Sequence, residues 1–538
     1  MKRMLLIIYL MSLATWACSA DRPNIVWIFS DDHSFQTIGA YGGRLQTLNP
    51  TPNIDRLARE GIRFDRCYVG NSICAPSRAT LLTGKHSHMN GKITNGGGFN
   101  HDQEQFQKIL QKNGYQTAMI GKIHLPGKMQ GFDHWEVLPG QGDYYQPYFR
   151  NESEELYMED GYVTDIITDK ALKWLDSGRD KEKPFMVMIH HKAVHRSWMP
   201  APRHVGMYED ITIPEPDSLF DDYSTHGVAA HNATMTIRDE MKSESDLKLF
   251  TPESRKRYEA EKKKMIDAGE PFPPSGGWEF GAYFRMTDEQ RTIWDNAREA
   301  SNRKILAKGE AWQKTPEGVK WRYQRYMKDY LGCIASLDEN IGRVLDYLAE
   351  SGLDKNTIVM YSSDQGFYNG EHGWFDKRFM YEESFRTPLV ACWPGQIKPG
   401  SVNTDLVQNI DFAETFLDLT GAPIPDDMQG KSLVPLLKGE TPDDWRTSLY
   451  YHYYEYPSIH SVRRHEGVTG RRFKLIRFYG PDVPNGEEWE MYDLKNDPSE
   501  MTNLYGNPEY ASRIKELKQE LDRLKTQYQV PNEPKPQT

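Results

Sequence analysis

Four apolar segments of this sequence each run directly into side chains that can ionise or coordinate an ion. The residues that follow these segments are Asp31 and Asp32, Lys122 and His124, His191 and His195, and Asp364 and Gln365. Uninterrupted apolar runs such as 185–189 are typical of strands buried on both faces, as in a parallel sheet covered by helices. Sites in such sheets lie beyond the carboxyl ends of the strands. We therefore predict one pocket that gathers these side chains.

The elements that must position this pocket alternate between strands and helices. Pro52 opens a segment of helical apolar spacing that Gly61 ends, and similar spacing marks 102–112, 163–175 and 323–348. Strands that alternate with helices in this way predict an α/β fold with a largely parallel sheet flanked by helices.

The chain of 538 residues is too long for one compact core, so we expect more than one unit. We predict a catalytic domain over 21–440, with a charged insertion over 206–322 that is mostly helical and loop. A composition rich in Pro, Gly and Asp around 423–442 suggests the boundary. Residues 441–538 are predicted to form a smaller α+β subdomain, with short strands near 448–454, 472–479 and 488–493 and a last helix from Asn507.

The net charge and the N-terminal residues indicate where the protein is located and which binding partners are excluded. A net charge of −11 argues against a nucleic-acid-binding protein, which needs a basic face. Residues 1–20 combine Lys2 and Arg3 with a short apolar stretch and small residues, which is typical of a secretory signal too short to span a membrane. We expect an exported periplasmic or cell-surface protein without a transmembrane segment. Lipid attachment at Cys18 is the alternative.

The segment from Cys74 to Gly84, CAPSRATLLTG, is the most specific feature of the sequence. Pro76 favours a helix start, so we expect Cys74 at an exposed helix N-terminus, where free amide groups and the helix dipole favour negative charge. Arg78 lies one turn later and could face the same point. The pattern predicts a nucleophile held beside an anion site, and an unmodified thiolate is one form it could take.

This segment resembles the Cys-x-Pro-Ser-Arg hallmark of the formylglycine-dependent sulfatases, which have an alkaline-phosphatase-like fold. The resemblance covers nearly the whole chain from Asp21 onward. It implies that Cys74 is oxidised to formylglycine by a separate formylglycine-generating or anaerobic sulfatase-maturing enzyme, and that the hydrate is the nucleophile. It also implies a catalytic role for Arg78.

The resemblance also assigns a metal site to Asp31, Asp32, Asp364 and Gln365. An all-oxygen donor set with three carboxylates suits a hard divalent cation, first calcium and alternatively magnesium, and would make a poor zinc site. Neighbouring strand residues face opposite ways, so Asp31 and Asp32 must lie past the end of the pleat to share one ion. Many relatives have Asn where this chain has Gln365.

The remaining catalytic roles are likewise implied by the resemblance. Lys122 and His124 match residues that hold the nucleophile and the sulfate. His195 matches the histidine that contacts the sulfate and the leaving oxygen, and we place it ahead of its neighbour His191. Lys377 matches the lysine that neutralises the leaving oxygen.

The segment 363–378 resembles the branch of the family that acts on 6-O-sulfated N-acetylglucosamine. A sulfated carbohydrate is therefore the expected substrate, with 2-O-sulfated iduronate and simple aryl sulfates as alternatives. Asp376 and Arg378 are expected to contact the sugar, although they could instead pair with each other as a structural ion pair. His191 and His460 are further candidates for sugar contacts.

Two other functions stay open on the sequence. A phosphate or phosphonate monoester hydrolase can share the scaffold and the cysteine motif, because phosphate and sulfate esters have similar shapes. A non-catalytic glycan-binding relative would have lost the nucleophile or a metal acid, and this sequence retains both.

Overall fold

The computed structural model describes residues 22–269, 283 and 285–532. The predicted signal sequence over 1–20 and the alternative lipid attachment at Cys18 lie outside these residues, as does part of the predicted insertion. In the described part of the chain, no helix is long and apolar enough to cross a membrane.

The strands form one large sheet and several small ones. In chain order they are β1 (Asn24–Ser30), β2 (Ile62–Phe64), β3 (Cys67–Tyr68), β4 (Gln116–Lys122), β5 (His134–Leu138), β6 (Tyr148–Asn151), β7 (Leu156–Met158), β8 (Phe185–His190), β9 (Thr357–Ser363), β10 (Tyr368–Asn369), β11 (Phe375–Asp376), β12 (Arg386–Thr387), β13 (Leu389–Cys392), β14 (Ser401–Asn403), β15 (Val407–Gln408), β16 (Leu449–Tyr453), β17 (His465–Thr469), β18 (Phe473–Tyr479) and β19 (Glu487–Asp493).

The large sheet has ten strands in the order β14-β2-β13-β9-β1-β8-β4-β5-β6-β7. Its central strands β9, β1, β8, β4 and β5 are parallel to one another. Antiparallel strands β13 and β6 flank them on either side. All four predicted strands lie in this parallel centre, so their carboxyl ends meet at one edge.

Helices cover both faces of the sheet. In chain order they are α1 (Pro52–Glu60), α2 (Cys74–Thr83), α3 (Ser87–Asn90), α4 (Phe106–Lys112), α5 (Val163–Lys173), α6 (Val228–Asn232), α7 (Pro252–Ala268), α8 (Asp288–Leu306), α9 (Glu310–Gln313), α10 (Pro316–Ser351), α11 (Glu382–Phe385), α12 (Asp411–Thr420), α13 (Val434–Leu437) and α14 (Ala511–Gln527).

Alternate residues of β1 show how the two faces are covered. Val26 and Ile28 pack in a core with helices α1, α5 and α10. Ile25, Trp27 and Phe29 pack in the core on the other face, with α2, α4 and α12. The predicted α/β class is thereby confirmed, and every residue of β1 after Asn24 is buried.

The predicted helices form, with bounds set by their caps. The helix from Pro52 ends before Gly61, as predicted. The helix predicted over 323–348 is longer because Thr315 caps its N-terminus through its side chain. The helix predicted over 102–112 starts only at Phe106.

The C-terminal part forms an antiparallel sheet in the order β16-β17-β18-β19, and α14 packs on it. Strand β17 was not predicted, because a segment that contains His465, Glu466 and Gly467 shows no apolar run. Its polar side chains are nevertheless buried and bonded. The main-chain N–H of Met380 donates to Nε2 of His465 at 3.1 Å, and Lys525 lies 2.7 Å from Glu466.

Candidate active site

Cys74 is the first residue of α2, and its sulfur lies 3.5 Å from Oδ1 of Asp31. The helix start agrees with the prediction, but the expected exposure is wrong, since Cys74 has 0% exposed surface. Residues from the ends of β1 and β9, Asp31 and Gln365, lie against the thiol. Burial raises the pKa of this thiol to about 12, although the neighbouring Lys377 lowers it. Because only the thiolate is a good nucleophile, the unmodified cysteine is poorly reactive near neutral pH.

Three carboxylates from the ends of β1 and β9 meet beside Cys74. Oxygens of Asp31, Asp32 and Asp364 lie within 4.8 Å of one another, and all three side chains are buried. The main-chain N–H of Asp32 donates to Oδ1 of Asp364 at 3.0 Å. Asp32 has a φ of 62°, in the left-handed region that non-glycine residues seldom adopt. This turn takes the chain out of the strand pleat, which lets two adjacent carboxylates face one point.

The donor set fits a hard divalent cation. Oδ2 of Asp32 and Oε1 of Gln365 are buried oxygens without a hydrogen-bond partner in the described part of the chain. Buried acceptors are rarely left unpaired, so these two oxygens indicate a position where a ligand binds. Burial raises the pKa of Asp32 to about 6, against the effect of Lys377. With Asp31 and Asp364, the set is all oxygen, as calcium and magnesium prefer.

Arg78 and Lys122 place positive charge around the carboxylates. Nε of Arg78 donates to Oδ2 of Asp364 at 3.1 Å, and its Nη1 donates to the carbonyl oxygen of Lys122 at 2.7 Å. The ammonium of Lys122 pairs with Asp31 and also donates to Oε1 of Gln141. All these side chains except Gln141 were predicted to meet, and the structure brings them together.

His195 and His124 are buried beside this charge. Nε2 of His195 lies 3.9 Å from Oδ2 of Asp32, and Nδ1 lies 2.6 Å from the carbonyl oxygen of Arg196, to which it donates. Burial and the charges of Lys122 and neighbouring lysines hold the pKa of His195 well below its usual range. Burial also lowers the pKa of His124, with Lys122 adding to the effect. Both imidazoles are therefore neutral in the free protein.

Lys377 lies between the proposed metal ligand Asp32 and a second group of polar residues. Its Nζ lies 2.5 Å from Oδ1 of Asp32. Beside it, Oδ1 of Asp376 lies 3.2 Å from Nε of Arg378, and Oδ2 lies 3.3 Å from Nε2 of His460. Burial alone would raise the pKa of Asp376, but Arg378, His460 and Lys377 outweigh it and hold the pKa well below its usual range. The ion pair considered as an alternative for Asp376 and Arg378 is thus present.

His191 lies apart from these contacts. Both of its ring nitrogens are buried without a hydrogen-bond partner in the described residues, and the nearest charge that affects its pKa is Asp165 of α5. Its neighbour His190 faces the site instead, with Nδ1 3.5 Å from Nη1 of Arg78. In the described part of the chain, therefore, His190 and not His191 contacts the residues of this site.

Two residues near the pocket were given no role from the sequence. Gln141 bonds Lys122, and the ammonium of Lys192 donates to the main-chain oxygen of Gln141 at 3.2 Å. Gln141 follows β5, whose residues His134 and Glu136 interrupt the apolar pattern, so this strand end was not recognised. The signal that could have found it is the pair of glycines flanking Gln141, which mark a tight turn after a strand.

Comparison with known proteins identifies the family. The model of the Sulfatase family matches residues 23–422. The chain belongs to the sulfatase family. A second model, for the C-terminal region of N-sulphoglucosamine sulphohydrolase, matches residues 370–527. The predicted resemblance is confirmed, and the protein is an enzyme that hydrolyses sulfuric esters.

Several known proteins are similar to this chain over most of its length. An N-acetylglucosamine-6-O-sulfatase from Bacteroides thetaiotaomicron is 50% identical over 515 residues, which cover 94% of this chain and 87% of the relative. A solved structure of a protein in complex with its substrate D-glucosamine-2-N,6-O-disulfate has a TM-score of 0.87 and 48% identity, covering 95% of this chain and 99% of that one. A phosphonate monoester hydrolase from Silicibacter pomeroyi shares only the fold, with a TM-score of 0.68 and 19% identity over 94% of this chain and 96% of the other.

Proposed function

We propose that this sulfatase removes the 6-O-sulfate from N-acetylglucosamine or glucosamine units of glycosaminoglycans or mucin glycans. The observation that carries the proposal is the Asp376–Arg378–His460 group directly beside Lys377. Its charged and polar atoms are of the kinds that bond sugar hydroxyls, and the adjacent Lys377 ammonium would bind the sulfate ester of the same sugar. The 50% identical relative named for this activity supports the assignment.

We further propose that Cys74 is matured to formylglycine by a separate enzyme. The raised pKa of the thiol supports this, because a protonated buried thiol would be a weak nucleophile. The cysteine sulfur marks where the two hydroxyls of the aldehyde hydrate would lie. Asp31 would accept a hydrogen bond there, as it does from the thiol.

Asp31, Asp32, Asp364 and Gln365 would hold one divalent cation, for which calcium is the first candidate. When bound, the cation supplies Lewis acidity and the formylglycine hydrate supplies the nucleophile. Arg78 holds Asp364 in place through its hydrogen bond of 3.1 Å. A carboxylate that is fixed in this way can bind the ion without a rearrangement of its side chain.

The basic side chains would bind the sulfate ester and stabilise its reaction. Lys122 would bring its ammonium group to the non-bridging oxygens of the sulfuryl group, and Lys377 would neutralise the negative charge that develops on the leaving oxygen as the ester bond breaks. A bound sulfate raises the pKa of a neighbouring imidazole, so His195 can take up a proton and give it to the leaving sugar oxygen. His124, whose Nδ1 is buried without a partner in the described residues, is positioned to accept a proton as sulfate is released.

The proposal is tested by measuring sulfate release from a panel of sulfated sugars. We expect the highest kcat/KM on 6-O-sulfated N-acetylglucosamine or glucosamine, and lower values on 2-O-sulfated uronic acids and on an aryl sulfate. A preference for the 2-O-sulfated uronic acid would overturn the substrate assignment. Faster hydrolysis of a phosphonate monoester than of any sulfate ester would contradict the reaction class.

A further inference from the structure

Gln141 connects the carboxyl ends of three neighbouring parallel strands. It follows β5, which pairs with β4 so that Leu138 lies beside Lys122. Strand β8, which precedes Lys192, lies on the other side of β4. Oε1 of Gln141 accepts a hydrogen bond from Nζ of Lys122, and its main-chain oxygen accepts one from Nζ of Lys192 at 3.2 Å. One residue thus holds two lysines from separate strand ends side by side.

The ammonium of Lys192 is buried with few partners. The residue is only 4% exposed, and its Nζ lies 4.9 Å from the centre of the Tyr144 ring. The bond to Gln141 is the one hydrogen bond of Nζ found in the described residues, and no carboxylate there lies within 4.0 Å. An ammonium has three donors, and a buried charge without counter-charge is costly. Lys192 therefore has donors and charge left for an anion.

Lys192 also lies within the electrostatic reach of the site. After burial, the groups that most affect its pKa are Asp143, Asp32, Cys333 and Cys74. In return its charge lowers the pKa of two residues of the sulfate pocket, Lys122 and His195. Tyr144, beneath the ammonium, donates to the carbonyl oxygen of His195 at 2.7 Å. Arg285, also basic, lies 3.6 Å from the same carboxylate of Asp143.

Resting on the proposed function, we propose that Lys192 is a further binding residue for the sulfuryl group and that Gln141 is its positioning residue. Lys122 is shared between Asp31 and Gln141, so without the glutamine its ammonium would keep only the carboxylate partner. The glutamine side chain gives the Lys122 ammonium a second partner besides Asp31, and the glutamine main-chain oxygen holds Lys192 beside it. The two ammonium groups then meet the sulfuryl oxygens as a pair.

Steady-state kinetics on two substrates test this proposal. Lys192→Met and Gln141→Ala should each lower kcat/KM by roughly a hundredfold, the scale of losing one donor to a developing oxyanion. The loss should be equal on 6-O-sulfated N-acetylglucosamine and on an aryl sulfate, because both residues contact or position the sulfate end. In Gln141→Ala the loss should fall mainly on kcat. Activity within twofold of wild type in either variant would overturn the assignment.

Matched controls separate this role from general packing. Gln146 lies in the same loop but bonds Gln290 at 3.0 Å, away from the lysines. Lys108, on helix α4, donates to main-chain oxygens, including that of Gln103 at 3.1 Å. Gln146→Ala should cost stability, because the side chain is buried and also accepts a hydrogen bond from the main-chain N–H of Gly161. Gln146→Ala and Lys108→Met should nevertheless keep kcat/KM within about twofold per folded molecule, because neither side chain contacts Lys122 or Lys192 in the described residues. Thermal unfolding of every variant gives the folded fraction.

The pH profile gives a readout that a packing role would not change. Burial lowers the pKa of Lys192 to about 8. Because the charged form is needed, kcat/KM should fall as the pH rises through about 8 in the wild type. In Lys192→Arg the guanidinium stays charged, so that fall should move to higher pH. An unchanged basic limb in Lys192→Arg would count against the assignment.

Binding of inorganic sulfate tests the role of Lys192 separately from the proposed substrate. Titration of sodium sulfate into the purified protein should give at least a tenfold weaker Kd for Lys192→Met than for the wild type. This result would stand even if the enzyme preferred a different sulfate ester. Equal sulfate affinity in both proteins would refute the Lys192 assignment while leaving the proposed sulfatase activity intact.

Discussion

At the scale of single residues, the site works because opposite charges are buried together. Asp31, Asp32 and Asp364 lie within 4.8 Å of one another, and Arg78 and Lys377 contact two of them directly. A buried carboxylate without such partners would take up a proton rather than remain charged. The same basic side chains that pair with these acids place positive charge at one point of a protein whose net charge is −11.

Replacing Cys74 tests the nucleophile. Cys74→Ala should lower sulfate release by roughly a thousandfold or more, on the scale seen when a catalytic nucleophile is removed. Cys74→Ser should be nearly as inactive if maturation is specific for cysteine. Peptide mass spectrometry of the active wild type should find an aldehyde or its hydrate at position 74. Substantial turnover by Cys74→Ala, with no modification in the wild type, would contradict the covalent role.

Removing the cation tests the oxygen ligands. Chelation should abolish activity, and calcium or magnesium should restore it, because every proposed ligand is an oxygen. Asp31→Ala should lose more activity than Gln365→Ala, since a carboxylate contributes charge and an amide does not. Asp346→Ala is the control, because that carboxylate is 61% exposed and pairs only at the surface. Full activity of the metal-free protein would disprove the requirement.

At the scale of elements, the parallel strands bring distant residues to one edge. β1 pairs with β8 on one side and with β9 on the other, so Asp31, His195 and Asp364 follow neighbouring strand ends. The strand ends were predictable because each apolar run is long and uninterrupted. The end of β5 was not predictable, because β5 carries polar residues. The burial of Cys74 was not predictable either, because it depends on how loops from separate strands close over α2.

Gly121 illustrates how closely β4 and β8 approach at the site. It has a φ of +106°, and a Cβ there would lie 1.9 Å from the carbonyl oxygen of His190. Gly121→Ala should therefore destabilise the fold by about 1–3 kcal/mol or more and displace Lys122, lowering kcat as well. Gly506→Ala, where nothing lies within 4 Å, is the matched control. Thermal unfolding and kinetics measure both effects, and an unchanged Tm in Gly121→Ala would disprove the predicted clash.

At the scale of the whole molecule, the C-terminal part packs against the central part and contacts Asp376. One core cluster combines Tyr68 and Met380 with Leu449, Tyr451 and Phe478, so the predicted parts 21–440 and 441–538 share packed side chains. The predicted boundary near 440 stays a prediction. His460, which follows β16, reaches Asp376 of the central part at 3.3 Å. The composition suggested two units, but it could not show that His460 of one lies against Asp376 of the other, because that contact depends on how the two parts pack.

This arrangement leads to the last prediction, that the C-terminal part contributes to sugar selection. Asp376→Asn keeps the shape of the side chain but removes the charge that Arg378 and His460 share. His460→Gln changes the same group from the other part of the chain. Each variant should lose about tenfold to a hundredfold in kcat/KM on 6-O-sulfated N-acetylglucosamine, which corresponds to the roughly 1–3 kcal/mol of one lost polar contact.

Both variants should largely spare a small aryl sulfate, which has no sugar hydroxyls to bind. The ratio of the two kcat/KM values is therefore the measurement that matters, and it does not depend on the folded fraction. Arg203→Ala serves as a control, because its ion pairs with Asp165 and Glu339 are on the surface. Equal losses on the two substrates would place Asp376 and His460 in the scaffold, because a structural ion pair would affect every substrate alike.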